Sequence, residues 1–261
     1  MSEIENLKAE NIRLQAELEA TKATSTQYLQ NVAHQLTAPL GAIKWSIEAL
    51  KDERVPIARK GRLLSSIYSQ ATILVHLIKN FALMSNLEAD LELGQFREQP
   101  QRVDMLPLAI NVASDFRPQA EDAGIKIDVV DESFQRIFGT QKLEIEKNLV
   151  AQAISNMIEN AVKYADRETL INISGTSKGN AIGIAVESEG IPISEADKQR
   201  LFERGFRGHS AMQKVPAGTG IGLYLASRVM KFHGGEISIE VKGKMSRFEL
   251  LFPKSRVGST K

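Results

Sequence analysis

The chain has 261 residues, 43% hydrophobic and 25% charged, the composition of a soluble globular protein of about two domains. Its 33 basic and 32 acidic residues leave a net charge of +1, so no sequence-wide field draws it to nucleic acid or to an anionic membrane. The absence of cysteine excludes disulfides and thiolate metal sites and fits a reducing, cytoplasmic setting, while no apolar run approaches a membrane span and the polar start MSEIENLKAE is no signal peptide.

Residues 3–25 are rich in Glu, Lys, Leu and Ala and contain neither Gly nor Pro. Ile4, Leu7, Asn11, Leu14, Leu18, Thr21, Ser25, Tyr28 and Val32 alternate spacings of three and four, which is a heptad seam. Asn11 on such a seam favours two-stranded, in-register pairing, so a parallel coiled coil is expected. The helical pattern continues to about Lys51 and breaks near Val55-Pro56. A second helix is predicted from Ile57 to Leu91, with Leu63, Leu64, Ile67, Ala71, Leu74, Val75, Ile78, Phe81, Ala82 and Leu87 on one broad stripe. Two long helices joined by a short turn form a hairpin, and two hairpins paired in a homodimer form a four-helix bundle.

Composition changes after Gly94. Strands are predicted at 125–130, 170–175, 181–186, 235–241 and 248–253, with helices at 106–121, 143–164 and 221–233. The turn SKGN, 177–180, joins two adjacent strands, and the whole reads as an α+β sandwich with one mixed sheet. The tail SRVGSTK is expected to fray.

Four motifs carry chemistry. In Asn31–Leu40, His34 lies two residues beyond Val32 on the seam and projects sideways. An exposed imidazole is a competent nucleophile near neutral pH, and Pro39 should kink the helix just beyond it. In Asn156–Tyr164, Asn156, Asn160 and Lys163 share one helical face. An amide oxygen there can complete the shell of a phosphate-bound Mg²⁺, and the ammonium can neutralise a phosphate, although a plain polar outer face fits this segment equally well. A third segment, Val186–Ile193, closes a strand. The fourth, Gly218-Thr219-Gly220-Ile221-Gly222-Leu223, has three alternate glycines before a helix, which lets backbone N–H groups approach phosphates. A dinucleotide-binding loop is the rival, but it needs a preceding first strand near the start of its domain, and this turn comes late.

Taken in order, HQLTAPL, NMIENAVKY, ESEGIPI, LFERGFRG and GTGIGL resemble the five boxes of the sensor histidine kinases of two-component systems. The resemblance covers about residues 27–253 and implies a coiled-coil linker at 1–26, a dimerisation and histidine phosphotransfer domain at 27–96 and a Bergerat-type (GHKL) ATP-binding domain at 97–261. It implies phosphoryl transfer from ATP and Mg²⁺ to His34, then to an aspartate in the receiver domain of a response regulator. An upstream sensor domain would lie outside this chain. By resemblance Asn160 holds Mg²⁺, Asn156 and Lys163 hold phosphates, and Tyr164 lines the nucleotide. Ser188, Gly190 and Ile193 then lie at the base, and Arg207 reaches the phosphates from a mobile lid at 203–217. Gly218, Thr219, Gly220, Ile221, Gly222 and Leu223 form the glycine-rich cradle. Hydrolysing relatives carry a Glu four residues before the metal-binding Asn, where this chain has Asn156, so hydrolysis without a histidine acceptor is expected to be poor.

Three departures from the family pattern stand out. Gln35 follows the phosphoacceptor where an acidic residue is usual, which predicts slower autophosphorylation. Ala38 replaces a Thr or Asn associated with phosphatase activity. Ser188 replaces the Asp that accepts from the adenine amino group, which predicts weaker ATP binding and leaves a degenerate kinase, acting as scaffold or phosphotransfer relay, as the alternative. Strand alternation points the neighbouring Glu187 to the opposite face. Of the remaining residues, Trp45 is read equally as a regulator contact or a bundle-core residue, His76 as core, His209 as solvated and His233 as a helix-end residue.

Overall fold

The computed structural model describes residues 3–52, 54–93, 99–216 and 218–258, with only the backbone for 3–9, 12, 14, 16–29, 31 and 86–93. Helix α1 runs from Glu3 to Leu50 and α2 from Ile57 to Leu93. They pack side by side as the expected hairpin. The turn between them closes with the Val55 N–H donating to the Asp52 carbonyl. Pro56 then starts α2, its carbonyl accepting from the Arg59 and Lys60 N–H groups. Helix α1 runs on past Pro39, which is buried. Most side chains of the proposed heptad seam lie outside the described residues. Much of the α2 stripe does not face the hairpin interior: Leu64, Val75 and Ile78 are about half exposed in the single chain.

The second half is a two-layer α/β unit. Strand β1 (Gln101–Val103) leads into α3 (Met105–Asp122), capped by the Asp104 side chain accepting from the Leu106 N–H. Then follow β2 (Lys126–Val130), α4 (Asp131–Phe138), β3 (Leu143–Ile145) and α5 (Lys147–Tyr164). Strands β4 (Leu170–Lys178) and β5 (Ala181–Glu189) form the hairpin predicted around SKGN. After α6 (Glu195–Arg200) and α7 (His209–Lys214) come α8 (Gly222–Phe232), β6 (Glu236–Lys242) and β7 (Met245–Pro253). The main sheet has the order β2-β4-β5-β7-β6, parallel between β2 and β4 and antiparallel elsewhere, and β1 pairs with β3 apart from it.

Alternation along the strands makes the layers. Ile171 and Ile173 of β4, Ile184 and Val186 of β5 and Leu250 and Phe252 of β7 are buried against α3, α5 and α8. This layer extends into the hairpin, because Leu83 and Met84 of α2 belong to the same buried cluster. The expected helix over 143–164 begins as a strand: Leu143 and Ile145 are buried on either side of half-exposed Glu144, a period of two that a helical reading absorbs.

The opposite sheet face carries a buried carboxylate. Glu249 is 4% exposed and accepts from Thr176 at 2.8 Å, Ser238 at 3.0 Å and Arg247 at 3.2 Å. Burial pushes its carboxyl up, but the three donors together outweigh burial and hold it below the usual carboxylate range. A depressed folded value means stability present above the unfolded value and lost as pH falls through the folded one. Melts from pH 7 to pH 3 should therefore show Glu249→Gln less stable than the parent near neutrality, the two converging at the acid end.

Candidate nucleotide and phosphoacceptor site

One end of β5 and the start of α8 open onto a cleft. Alternation decides what β5 contributes. Ser188 continues the face of Ile184 and Val186 and lines the cleft, 7% exposed. Glu187 points to the other face and pairs with Arg247 at 3.6 Å. Gly190 follows, where a Cβ would lie 2.1 Å from the Tyr164 carbonyl oxygen, so only glycine lets the strand end meet the end of α5.

Helix α5 supplies the cleft wall with Asn160, Lys163 and Tyr164. Lys163 donates at 2.7 Å to Glu159, which also lines the cleft and whose side chain is 8% exposed. Glu159 stands one turn before Lys163, the i, i+4 spacing at which a carboxylate and an ammonium pair on a helix. Asn156 is not in the wall. It is 1% exposed, one turn further in, where its Oδ1 accepts from Asn80 of α2 at 2.8 Å. Its Nδ2 is buried with no hydrogen-bond partner.

The glycine-rich turn closes the far side. Gly218, Thr219, Gly220, Gly222 and Leu223 line the cleft, whereas Ile221, 4% exposed, is part of the hydrophobic core and anchors the turn from behind. Gly220 has φ 66°, and its carbonyl accepts from the Gly205 N–H at 3.1 Å. Arg207 lines the cleft, but its guanidinium donates to the backbone carbonyls of Val215, Pro216 and Gly218. It holds the lid segment to the glycine turn, a role distinct from the expected one of reaching phosphates. Lys214 on α7 fastens the same segment to the end of α5, donating to the carbonyls of Tyr164 at 2.9 Å and Ala165 at 2.7 Å.

The hairpin completes the cleft. Gln35 of α1 and Leu77 and Asn80 of α2 line it, and His34, adjacent to Gln35, is exposed. The other three histidines have different settings. His76 is 4% exposed, with its ring 4.8 Å from that of Phe116, and burial holds it below the usual imidazole value. His233 is fully buried, accepting from the Glu146 N–H at Nε2 and facing the Val229 carbonyl through Nδ1. His209 is exposed beside Gln213.

The residues fit a nucleotide. The Lys163 ammonium and the backbone of a turn with glycine at three alternate positions face one cleft, and both are complementary to a polyphosphate.

The chain matches two family models: the His Kinase A (phospho-acceptor) domain over residues 24–90, and the histidine kinase-, DNA gyrase B- and HSP90-like ATPase over residues 145–256. It is 29% identical over 240 residues to the sensor-like histidine kinase SenX3 of Mycobacterium tuberculosis, covering 92% of this chain and 56% of that protein. It is 22% identical over 227 residues to the signal transduction histidine-protein kinase BaeS of Escherichia coli, covering 86% of this chain and 46% of that protein. The chain thus spans about half the length of these relatives. In fold it is similar to the Acinetobacter baumannii histidine kinase AdeS, with a TM-score of 0.53 at 18% identity over 84% of this chain and 97% of that one. It is likewise similar to full-length ShkA solved with AMPPNP, with a TM-score of 0.55 at 18% identity over 90% of this chain and 46% of that one. Carrying both domains in this order, the chain belongs to the sensor histidine kinases of two-component systems.

Proposed function

We propose that this chain is a kinase core that phosphorylates His34 from ATP and passes the group to an aspartate of a response-regulator receiver domain. The observation that carries this reading is the shared cleft: Asn160, Lys163 and the glycine turn line it together with Gln35, which is next to His34. In the reaction an imidazole nitrogen of His34 attacks the γ-phosphorus. The N–P bond forms as the bond from phosphorus to the bridging oxygen breaks, ADP leaves with the electron pair, and the ring loses its other N–H proton to solvent. Lys163 and the backbone N–H groups of Gly218–Gly222 neutralise charge on the phosphates, and the hairpin sets the angle of attack.

Mg²⁺ would supply charge neutralisation on the phosphates. Among the described residues no group of three or more His, Asp or Glu side chains could hold a metal ion alone, so phosphate oxygens would provide most of its shell, with the Asn160 amide oxygen completing it. Homodimerisation through the hairpin fits the apolar stripe left exposed on α2. Among the described residues no helix is long and apolar enough to cross a membrane. Signal reception and cytoplasmic placement belong to the proposal.

The test is incubation of the purified chain with γ-labelled ATP and Mg²⁺: acid-labile, base-stable label on the protein is expected. Absence of label, with the dimer intact and still binding a receiver domain, would leave the scaffold reading in its place. Ser188→Asp tests the base of the cleft. A charged acceptor is worth about 1 kcal/mol more than a hydroxyl, so ATP should bind roughly 5-fold tighter in calorimetric titration.

A further inference from the structure

We propose that His34 receives its phosphoryl group from the nucleotide held by its own chain, and that Asn80 is the positioning residue that sets this intramolecular geometry. The inference deepens the kinase reading and rests on it. Three observations of one polypeptide converge. First, α2 packs on α3, α5 and α8 of the same chain, burying Leu83 and Met84 in the common core. Second, a polar chain crosses that contact. Gln152 of α5 donates to Asn80 Oδ1 at 2.8 Å, and Asn80 Nδ2 donates to Asn156 Oδ1 at 2.8 Å. Gln152 also lies 3.4 Å from His76 Nδ1.

Hydrogen bonds are directional, so this chain fixes register where apolar packing alone would allow sliding. Both ends of the Asn80 amide are used, and both partners lie on α5, the helix that carries Asn160 and Lys163 into the cleft. Third, with α2 held in this way, Gln35 of the same chain lines the cleft and His34 stands next to it.

The connection favours the same chain. Residues 94–100 join α2 to β1, a tether reaching at most roughly 25 Å when extended. The α/β unit is confined near its own hairpin, and the effective concentration of His34 at the cleft is correspondingly high. Asn80 touches no reacting atom; it acts through Asn156 and Gln152 by fixing where α5 sits against the helix pair.

Differently tagged chains, paired by co-expression and isolated through both tags, test the assignment. A wild-type chain paired with a His34→Ala, Asn160→Ala chain should become labelled, because one intact chain suffices. A His34→Ala chain paired with an Asn160→Ala chain should remain unlabelled, because neither has both parts. Transfer between chains gives the reverse pattern, and label in the second pair or none in the first overturns the proposal. If the chains do not pair, intramolecular transfer gives a labelling rate per molecule that is constant over a hundredfold dilution, and a falling rate overturns it. Failure of the wild-type homodimer to label would instead refute the kinase reading. For Asn80, the readout is kcat against KM. Asn80→Ala should slow labelling roughly 10-fold while the KM for ATP stays within about twofold. An unchanged or faster rate, or a loss confined to ATP binding, overturns the positioning role.

Discussion

Labelling by γ-labelled ATP should fall to background, a loss of at least about 1000-fold, when His34 is replaced by alanine. ADP binding and the helical signal in circular dichroism should be unchanged. His34 is exposed on α1, and alanine is the best helix former, so the substitution leaves no cavity and no orphaned donor. Two of the other three histidines cannot take over. His76 and His233 are buried, and the Nε2 of His233 already accepts a backbone hydrogen bond. His209 is exposed on α7 and is the one chemically available competitor among the described residues. Acid-labile label that persists in His34→Ala and maps to His209 would sink the assignment of the nucleophile.

Gly220→Ala should weaken ADP binding roughly 100-fold while the chain stays folded. At φ 66° a non-glycine residue costs about 1–2 kcal/mol from backbone sterics alone. The added Cβ would also lie 2.6 Å from the Gly205 carbonyl carbon and 2.7 Å from both the Gly205 and Phe206 carbonyl oxygens. These are backbone atoms, which cannot swing aside as a flexible side chain can. The turn must therefore move off the 205–206 segment, and the N–H groups facing the cleft move with it. Ile221 stays in the core, so the damage is local. Gly179→Ala separates the two costs. Its φ is 57° but nothing lies within 4 Å of the added Cβ, so it should lose about 1–2 kcal/mol of stability and leave nucleotide binding unchanged. Equal nucleotide affinity in the Gly220→Ala chain and its parent, measured by calorimetry, would show that this turn does not grip phosphate.

The sequence made the long elements and the order of the motifs legible because both are local properties. The α1–α2 hairpin, the β4–β5 hairpin and α8 follow from hydrophobic period and turn chemistry, and the mixed sheet follows from them. Short elements escaped. Strands β1 and β3 have three residues each, and α6 and α7 have six, too few for a period to register. Roles that depend on distant packing also escaped. Asn80 and Gln152 look like solvated helix positions until the fold brings segments 72 residues apart into contact. Arg207 sits where a phosphate-gripping arginine is expected, but its fork finds three carbonyls where its own loop runs into the glycine turn. Asn156 shares a helical face with Asn160, yet the docked hairpin covers it. Ser188 faces the cleft and Glu187 the other side of the sheet, as strict strand alternation requires.

Helix α1 is a single rod of 48 residues that carries His34, the proposed phosphoacceptor, roughly 45 Å along its axis from Glu3 at 1.5 Å per residue. A rod of that kind transmits twist as readily as thrust. Each residue added or removed upstream of His34 would turn the imidazole about the axis by ~100°, whereas a full heptad returns it to within ~20° of its starting bearing. A rotation imposed on this helix anywhere before His34 would therefore reach the cleft as an angle, repeating with each full turn.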